Sequence, residues 1–275
     1  MNLDEYDSVQ RQKILVYGEP KSGKTALVGG LAAAGFKLWW FDLENGIKTL
    51  RNPEVLAPEF RKNVSVFNIP DNKVLPVALD QIRKLFKGGK HKFCHLHGIS
   101  GCPVCAKVAG NVWSEEINLA EFGDNDILVI DSFTQLAESA INKVMVKEWL
   151  KDEDYKPSWD DWAQQGNYLK EILSKIQTSN IHTCVISHDI DTEKDEKKVK
   201  IVPVGGTRNA SNQMGKYFDE VVYVQRMNKR HIAYSSSLWN NTHLTGGRSG
   251  VKLEEGNGKT LADVFRAGNL GRVKA

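Results

Sequence analysis

Two short stretches hold most of the residues able to do chemistry. The first, GEPKSGKT at residues 18–25, spaces two glycines, a lysine and a threonine as phosphate-binding loops do. It lies between a strand-like run, KILVYG at 13–18, and a helix-like run, TALVGGLAAAG at 25–35, which is the context the motif requires. Backbone N–H groups of Gly23, Lys24 and Thr25 can cradle phosphate oxygens at the helix start. Lys24 reaches the β- and γ-phosphates, and the Thr25 hydroxyl ligates Mg²⁺. The expected nucleotide contacts are Gly18, Glu19, Pro20, Lys21, Ser22, Gly23, Lys24, Thr25 and Ala26. The second stretch, KFCHLHGISGCPVCAK at 92–107, holds three of the four cysteines. Cys94-x2-His97 and Cys102-x2-Cys105 form two ligand pairs, with Gly98 and Gly101 able to bend the link between them. Three thiolates and one imidazole close a tetrahedral structural zinc site with no open position for catalysis. His95 and His91 are alternatives to His97 in that set.

Further polar residues fall at the ends of apolar runs. ILVIDS ends in Asp131, a carboxylate suited to hold the magnesium water shell beside Thr25. The run KLWWFD at 37–42 ends in Asp42, with Glu44 two residues on. Either carboxylate can orient and polarise a water opposite the γ-phosphate as general base. CVISHD places Ser187 and His188 at another strand end, where open α/β sheets bind ligands. A neutral His188 there can donate a hydrogen bond and sense the γ-phosphate. No guanine-reading N-K-x-D motif stands in an expected place, which favours ATP.

These pieces need elements that position them. Strands are expected at 13–18, 37–42, 64–69, 126–132 and 181–189. Helices are expected after the phosphate loop, over 73–87 with Leu75, Leu79, Ile82 and Phe86 on one stripe, from Phe133 onward, and over 162–178. A strand pair is expected around MNKR at 227–230. Strands alternating with helices argue for an α/β fold with a mostly parallel central sheet. The expected organisation is a single domain over 1–275, with a zinc-knuckle-like insertion at 90–112. Trp39, Trp40 and Trp162 read as core residues, and Cys184 as a buried core thiol. Tandem Trp39 and Trp40 point to opposite faces of their strand.

In order, these segments resemble the core of the RecA/Rad51 recombinases. GEPKSGKT resembles the phosphate loop of that group, and ILVIDSFTQL resembles its magnesium-binding strand, with Asp131. FDLENG is similar to the strand-end segment whose glutamate activates water, which assigns that role to Glu44. VISHD occupies the place of the phosphate-sensor strand, with His188 standing where a polar amide is usual. GKYFDEVVYVQR and GRSGVKLEE are similar to late segments of the short phage-encoded, Sak4-type single-strand annealing and recombination ATPases. The likeness covers roughly residues 12–255, within which the cysteine cluster is not part of the usual RecA core. The resemblance implies a RecA-like ATPase acting on single-stranded DNA in phage-type recombination or replication, in the cytoplasm of an infected bacterial host. It also implies a ring or filament of identical subunits and a single-stranded-DNA-binding protein as a further partner. A helicase, a helicase loader or another DNA motor is the alternative on the same fold. A nucleotide-gated, zinc-bearing adaptor with weak hydrolysis is a second.

The chain has 275 residues, 41% apolar and 26% charged, with 37 basic and 34 acidic side chains. That balance does not by itself imply nucleic acid, so any DNA contact must come from local patches. The glycine-bearing, non-periodic stretch 190–213 follows His188 and occupies the place of the recombinase DNA loop. It is expected as a mobile loop, with Lys197, Lys198, Lys200, Arg208 and Asn209, joined by Asn212, contacting DNA. RKLFKGGKHK at 83–92 is a second basic run, and Lys229 and Arg230 are placed to act as an intersubunit finger. The polar N-terminus is no secretory signal, no apolar run reaches membrane-spanning length, and clustered cysteines suit a reducing cytoplasm.

Overall fold

Strand β1 (Lys13–Gly18) sends Leu15 and Tyr17 to one side and Ile14 and Val16 to the other, and both sides are buried. A strand covered on both faces belongs in the middle of a parallel sheet. The computed structural model, which describes residues 11–108, 113–194, 197–228, 230–235, 243–253 and 258–267, builds such a sheet. After β1 come α1 (Lys24–Ala33), β2 (Lys37–Asp42), β3 (Val64–Asn68) and α2 (Ala78–Leu85). A small antiparallel pair follows, β4 (His91–Cys94) with β5 (Ser114–Ile117), and then β6 (Asp126–Asp131), α3 (Phe133–Trp149) and α4 (Trp159–Thr178). The rest is β7 (His182–Lys194), β8 (Lys197–Pro203), α5 (Arg208–Gln213), β9 (Glu220–Met227), β10 (Arg230–Tyr234), β11 (Gly246–Gly247) and α6 (Leu261–Ala267).

Strands β9, β1, β7, β6, β2 and β3 lie side by side in that order and run parallel. Antiparallel β10 closes one edge. Helices α2, α3 and α4 cover one face through Leu79, Ile82, Leu136 and Ile172, and α1 and α6 cover the other through Val28, Leu31, Val264 and Phe265. This is the α/β RecA-like core, with β7 inserted between the strand that leads into the phosphate loop and β6. Trp39 and Trp40 do lie on opposite faces, both buried, and Cys184 is fully buried in the second face, where burial pushes its thiol pKa up. Among the described residues, no helix is long and apolar enough to cross a membrane. Strands β4 and β5 bracket the cysteine cluster as an insertion; residues 109–112 lie outside the described residues.

Four expectations are corrected. The helix expected over 73–87 is only Ala78–Leu85, because Asp71 Oδ1 accepts from the N–H groups of Val77 and Ala78 and starts it there. Leu75 therefore leaves the stripe and is exposed. Stretch 190–213 is not an irregular loop: β7 runs on past the sheet to Lys194, β8 pairs antiparallel with it, and β8 leads through Gly205 and Gly206 into α5; residues 195–196 lie outside the described residues. Its alternation in VKIVP is short and is obscured by lysines and acids, and a six-residue helix shows no period in sequence. Trp162 is not a core residue, since α4 begins at Trp159 and turns it to the surface.

The aromatic core is concentrated at the β3 edge. Phe67 is fully buried, 5.0 Å from Phe41, 6.3 Å from Phe93 and 4.9 Å from the His95 ring. Phe67→Ala is expected to cost about 3–5 kcal/mol of stability, measured as a shift of the urea unfolding midpoint at unchanged slope.

Candidate nucleotide site and cysteine cluster

Parallel pairing sets the site before any side chain does. In the register, Gly18 faces His188, Asp131 faces Ile186 and Asp42 faces Asp131, so the ends of β1, β6 and β2 meet at the carboxyl edge of the sheet where β7 runs on past it. The phosphate loop leaves β1 there and enters α1. Gly23 takes φ of 100°, and a Cβ on it would lie 2.6 Å from His231 Nδ1, so glycine is required by both conformation and space. His231 itself donates from Nδ1 to the Ser22 carbonyl and anchors the loop to β10.

Lys24 is buried. Its ammonium donates to the carbonyls of Gly18 (2.8 Å) and Glu19 (2.7 Å) and lies 3.4 Å from His188 Nδ1. Burial lowers its pKa, opposed by the negative charges of Asp189, Asp131 and Glu44. The Thr25 hydroxyl donates to Asp131 Oδ2 at 3.3 Å. Asp131 is almost wholly buried, and desolvation, then the charges of Asp42 and Glu44, push its pKa up to about 8. A hydroxyl and a carboxylate this starved of positive charge form a donor set of the kind magnesium takes. Cap duty on α3 falls to Ser132, whose Oγ accepts from the Gln135 N–H, and this leaves Asp131 to Thr25.

The structure separates the two rival carboxylates. Asp42 is fully buried and spends its oxygens on the backbone, accepting from the N–H groups of Glu44, Gly46 and Ile47. It shapes the turn. Glu44 instead projects into the site and is partly open to solvent. Its Oε2 accepts from His188 Nε2 at 3.0 Å, and its Oε1 accepts from the Ser132 hydroxyl. Burial would raise the Glu44 pKa, but the bonds from His188 and Ser132 hold it below its usual value, so the carboxylate stays ionised. With Lys24 donating to Nδ1 of His188, the ring proton sits on Nε2 and faces Glu44. His188 thus links the lysine to the candidate base.

Sequence reasoning missed Ser132 and Thr134. Thr134 Oγ1 accepts from the His188 backbone N–H at 2.9 Å and so holds that strand end. The signal was present in DSFT, directly after the apolar strand, but was read only as a helix start. Of the expected basic residues, Arg230 is exposed on β10 and lines a recess of about 340 Å³ beside its own α1, with Leu27, Ile232 and Leu261. Lys229 and the side chains of Lys197 and Lys198 lie outside the described residues. Lys200 is on β8, and Arg208 and Asn209 are on α5. In the 83–92 run, Arg83 pairs with Glu171 and Lys90 with Glu116.

At the other site, Cys94, His97, Cys102 and Cys105 come together, and their ligand atoms all lie within 4.8 Å of one another. His95 and His91 are engaged elsewhere: His95 Nδ1 donates to the Val66 carbonyl and His91 Nε2 to the Gly88 carbonyl.

A family model described as an AAA domain matches residues 10–258. No curated protein sequence matches the chain. Among solved structures, it is similar to a KaiC-like protein from the hyperthermophilic archaeon Pyrococcus horikoshii OT3, at 12% identity, over 81% of this chain and 76% of that one, with a TM-score of 0.38. A superposition that loose carries no functional weight.

Lys24→Ala is expected to remove nearly all nucleotide hydrolysis, because its charge is needed where the γ-phosphoryl leaves; turnover of the purified variant is the measure. Glu44→Gln and Asp42→Asn are expected to part company. The first should bind nucleotide and lose about 10²-fold or more in turnover, with its melting temperature kept. The second should lose about 1–3 kcal/mol of stability, since an amide cannot accept all three backbone bonds. Calorimetry beside a phosphate-release assay distinguishes them.

Proposed function

The chain belongs to the AAA domain family, and from that premise we propose that it is an ATPase whose turnover is coupled to single-stranded DNA in recombination or replication. The nucleotide half rests on the site. Lys24 and the phosphate loop bind and orient the triphosphate; Thr25 and Asp131 are the residues that would hold magnesium, which would supply positive charge against the phosphates. Glu44 aligns a water and takes its proton as the γ-phosphoryl passes to that water and ADP departs. Ser132 and His188 fix the carboxylate in the rotamer this needs.

One observation carries the DNA half: an aromatic, basic groove between α4 and α5. It has a volume of about 690 Å³ and is flanked by Trp159 and Trp162, with Lys170, Arg208, Asn209 and Lys216 on its walls. Trp159 is 90% exposed and Trp162 is exposed beside it, so both indole faces are open to a partner. Indole faces beside cations suit single strands, whose bases stack while their phosphates pair. The groove also communicates with the site. The Val204 N–H donates to the His188 carbonyl at 2.8 Å, the Ser187 hydroxyl donates to the Val204 carbonyl, and the Gly205 N–H donates to the Ser211 hydroxyl on α5. A strand that moves α5 moves the residue that grips Glu44, and the coupling is reciprocal. Self-association into a ring or filament, and cooperation with a single-stranded-DNA-binding protein, belong to the same proposal.

ATP hydrolysis measured with and without a single-stranded oligonucleotide tests this. We expect stimulation in the wild type. For Trp159→Ala/Trp162→Ala we expect binding weakened about 10- to 100-fold or more, on the scale of about 1–3 kcal/mol per stacked base. Arg208→Ala should lower the salt dependence of binding. Binding curves that superimpose on the wild type would remove the groove from the DNA path.

A further inference from the structure

The cysteine cluster stands apart from the nucleotide site, yet backbone bonds tie it to the turn that carries Glu44. We propose that Cys94, His97, Cys102 and Cys105 bind one structural zinc ion, and that the zinc-held knuckle braces the sheet edge from which the Asp42–Glu44 turn springs.

The ligand set fits zinc in size. Zinc–sulfur bonds of about 2.3 Å and a zinc–nitrogen bond of about 2.0–2.1 Å place nitrogen and sulfur about 3.6 Å apart across a tetrahedron. His97 Nδ1 lies 3.4 Å from Cys105 Sγ, 3.5 Å from Cys102 Sγ and 3.9 Å from Cys94 Sγ. The three sulfurs are buried and not joined as disulfides. Soft thiolates with one imidazole select zinc over hard cations, and four protein donors leave no place for a reacting water.

The knuckle docks on β3, the exposed edge of the sheet. The Asn68 N–H donates to the His95 carbonyl at 2.9 Å, and His95 Nδ1 donates to the Val66 carbonyl at 2.8 Å. These bonds satisfy an edge that would otherwise be open to pairing. Gly98, at φ of 55°, lies so near Ile69 that a Cβ would come within 2.3 Å of its side chain. The Ser100 N–H donates to Gln81 of α2 at 2.9 Å, and Phe93 plugs the base of the knuckle into the core, 5.3 Å from Phe41. From β3 the link runs inward. The Ile69 N–H donates to the Asp42 carbonyl at 2.9 Å, and the Asp42 carboxylate holds the backbone of Glu44, Gly46 and Ile47. The path from His95 to Glu44 is therefore a short run of hydrogen bonds through two strands.

The effect on turnover rests on the reading of Glu44 as general base; the metal site does not. Full-length protein purified without chelator should contain one zinc per chain by elemental analysis. Cobalt substituted for it should give the visible and thiolate charge-transfer absorption of a tetrahedral site. Cys102→Ser and His97→Ala should lose the metal, whereas His95→Ala should keep it. Because the cysteine variants can misfold, zinc is also to be stripped from the wild type with a mercurial and a chelator. Stripping should speed amide hydrogen exchange at 66–69 and 42–47 and lower hydrolysis about 10-fold or more, with nucleotide binding retained. Metal-free wild type, or metal retained in His97→Ala, would overturn the site. Unchanged exchange at 42–47 after stripping would overturn the brace. Absence of hydrolysis in the zinc-loaded protein would instead count against the ATPase reading and leave the exchange result to decide the brace.

Discussion

Three carboxylates crowd one end of the sheet, and much of the surrounding structure answers the cost of keeping them there. Asp42 and Asp131 are almost wholly out of water and Glu44 is partly so. Charge buried in a low dielectric is tolerated only when paired or hydrogen-bonded. Each acid is met differently. Asp42 is satisfied by three backbone N–H groups of the turn it shapes. Glu44 is satisfied by a hydroxyl and an imidazole. Asp131 has the Thr25 hydroxyl and a distant share of the Lys24 charge, and its pKa climbs to about 8. The least neutralised acid thus sits beside the Thr25 hydroxyl, where a divalent cation would relieve its burial.

The same constraint explains the topology around it. Parallel strands deliver their carboxyl ends to one edge, so Asp42, Asp131 and His188 become neighbours although 146 positions separate the first from the last. Interposing β7 between β1 and β6 puts His188 where one imidazole spans Lys24 and Glu44. A helix-starting serine directly after Asp131 then serves twice, capping α3 and fixing Glu44. At the far edge, β3 would expose unpaired backbone groups, and the cysteine knuckle covers them with His95. The site and its brace are built from strand ends and edges, the parts of a sheet that still have backbone groups to offer.

Much of this was legible in the chain. The phosphate loop was readable because its function depends on backbone geometry that only a fixed spacing of glycines supplies. The strands were readable because burial on both faces leaves apolar runs such as ILVI at 127–130. The three clustered cysteines were readable as parts of two spaced pairs, with the histidine partner left open among three. Other features were not. The irregular reading of 190–213 failed because β7 and β8 pair beyond the sheet, where lysines and acids hide their alternation. Trp162 was misassigned because an aromatic near an amphipathic helix looks like core until the helix start is known. That start is set by the Ser158–Asp161 capping box, three residues upstream of the expected one.

The sequence by itself determined which chemistry was available: a phosphate loop with Lys24 and Thr25, an acid at the end of β6, an acid at the end of β2 with another two residues on, a histidine after an apolar run and a soft ligand set with three candidate imidazoles. Each is a property of short spacing, and short spacing survives without a fold. Tertiary structure decided the assignments among equals. It turned Asp42 inward onto its own backbone and Glu44 outward into the site. It spent His95 and His91 on the Val66 and Gly88 carbonyls and so left His97 to the cysteines. It brought Ser132 to Glu44 across 88 positions of chain. These choices turn on the direction of a side chain and on which hydrogen bonds have already been made. Both arise only when distant strands pack, because a donor or acceptor in an unfolded chain can be satisfied equally well by water.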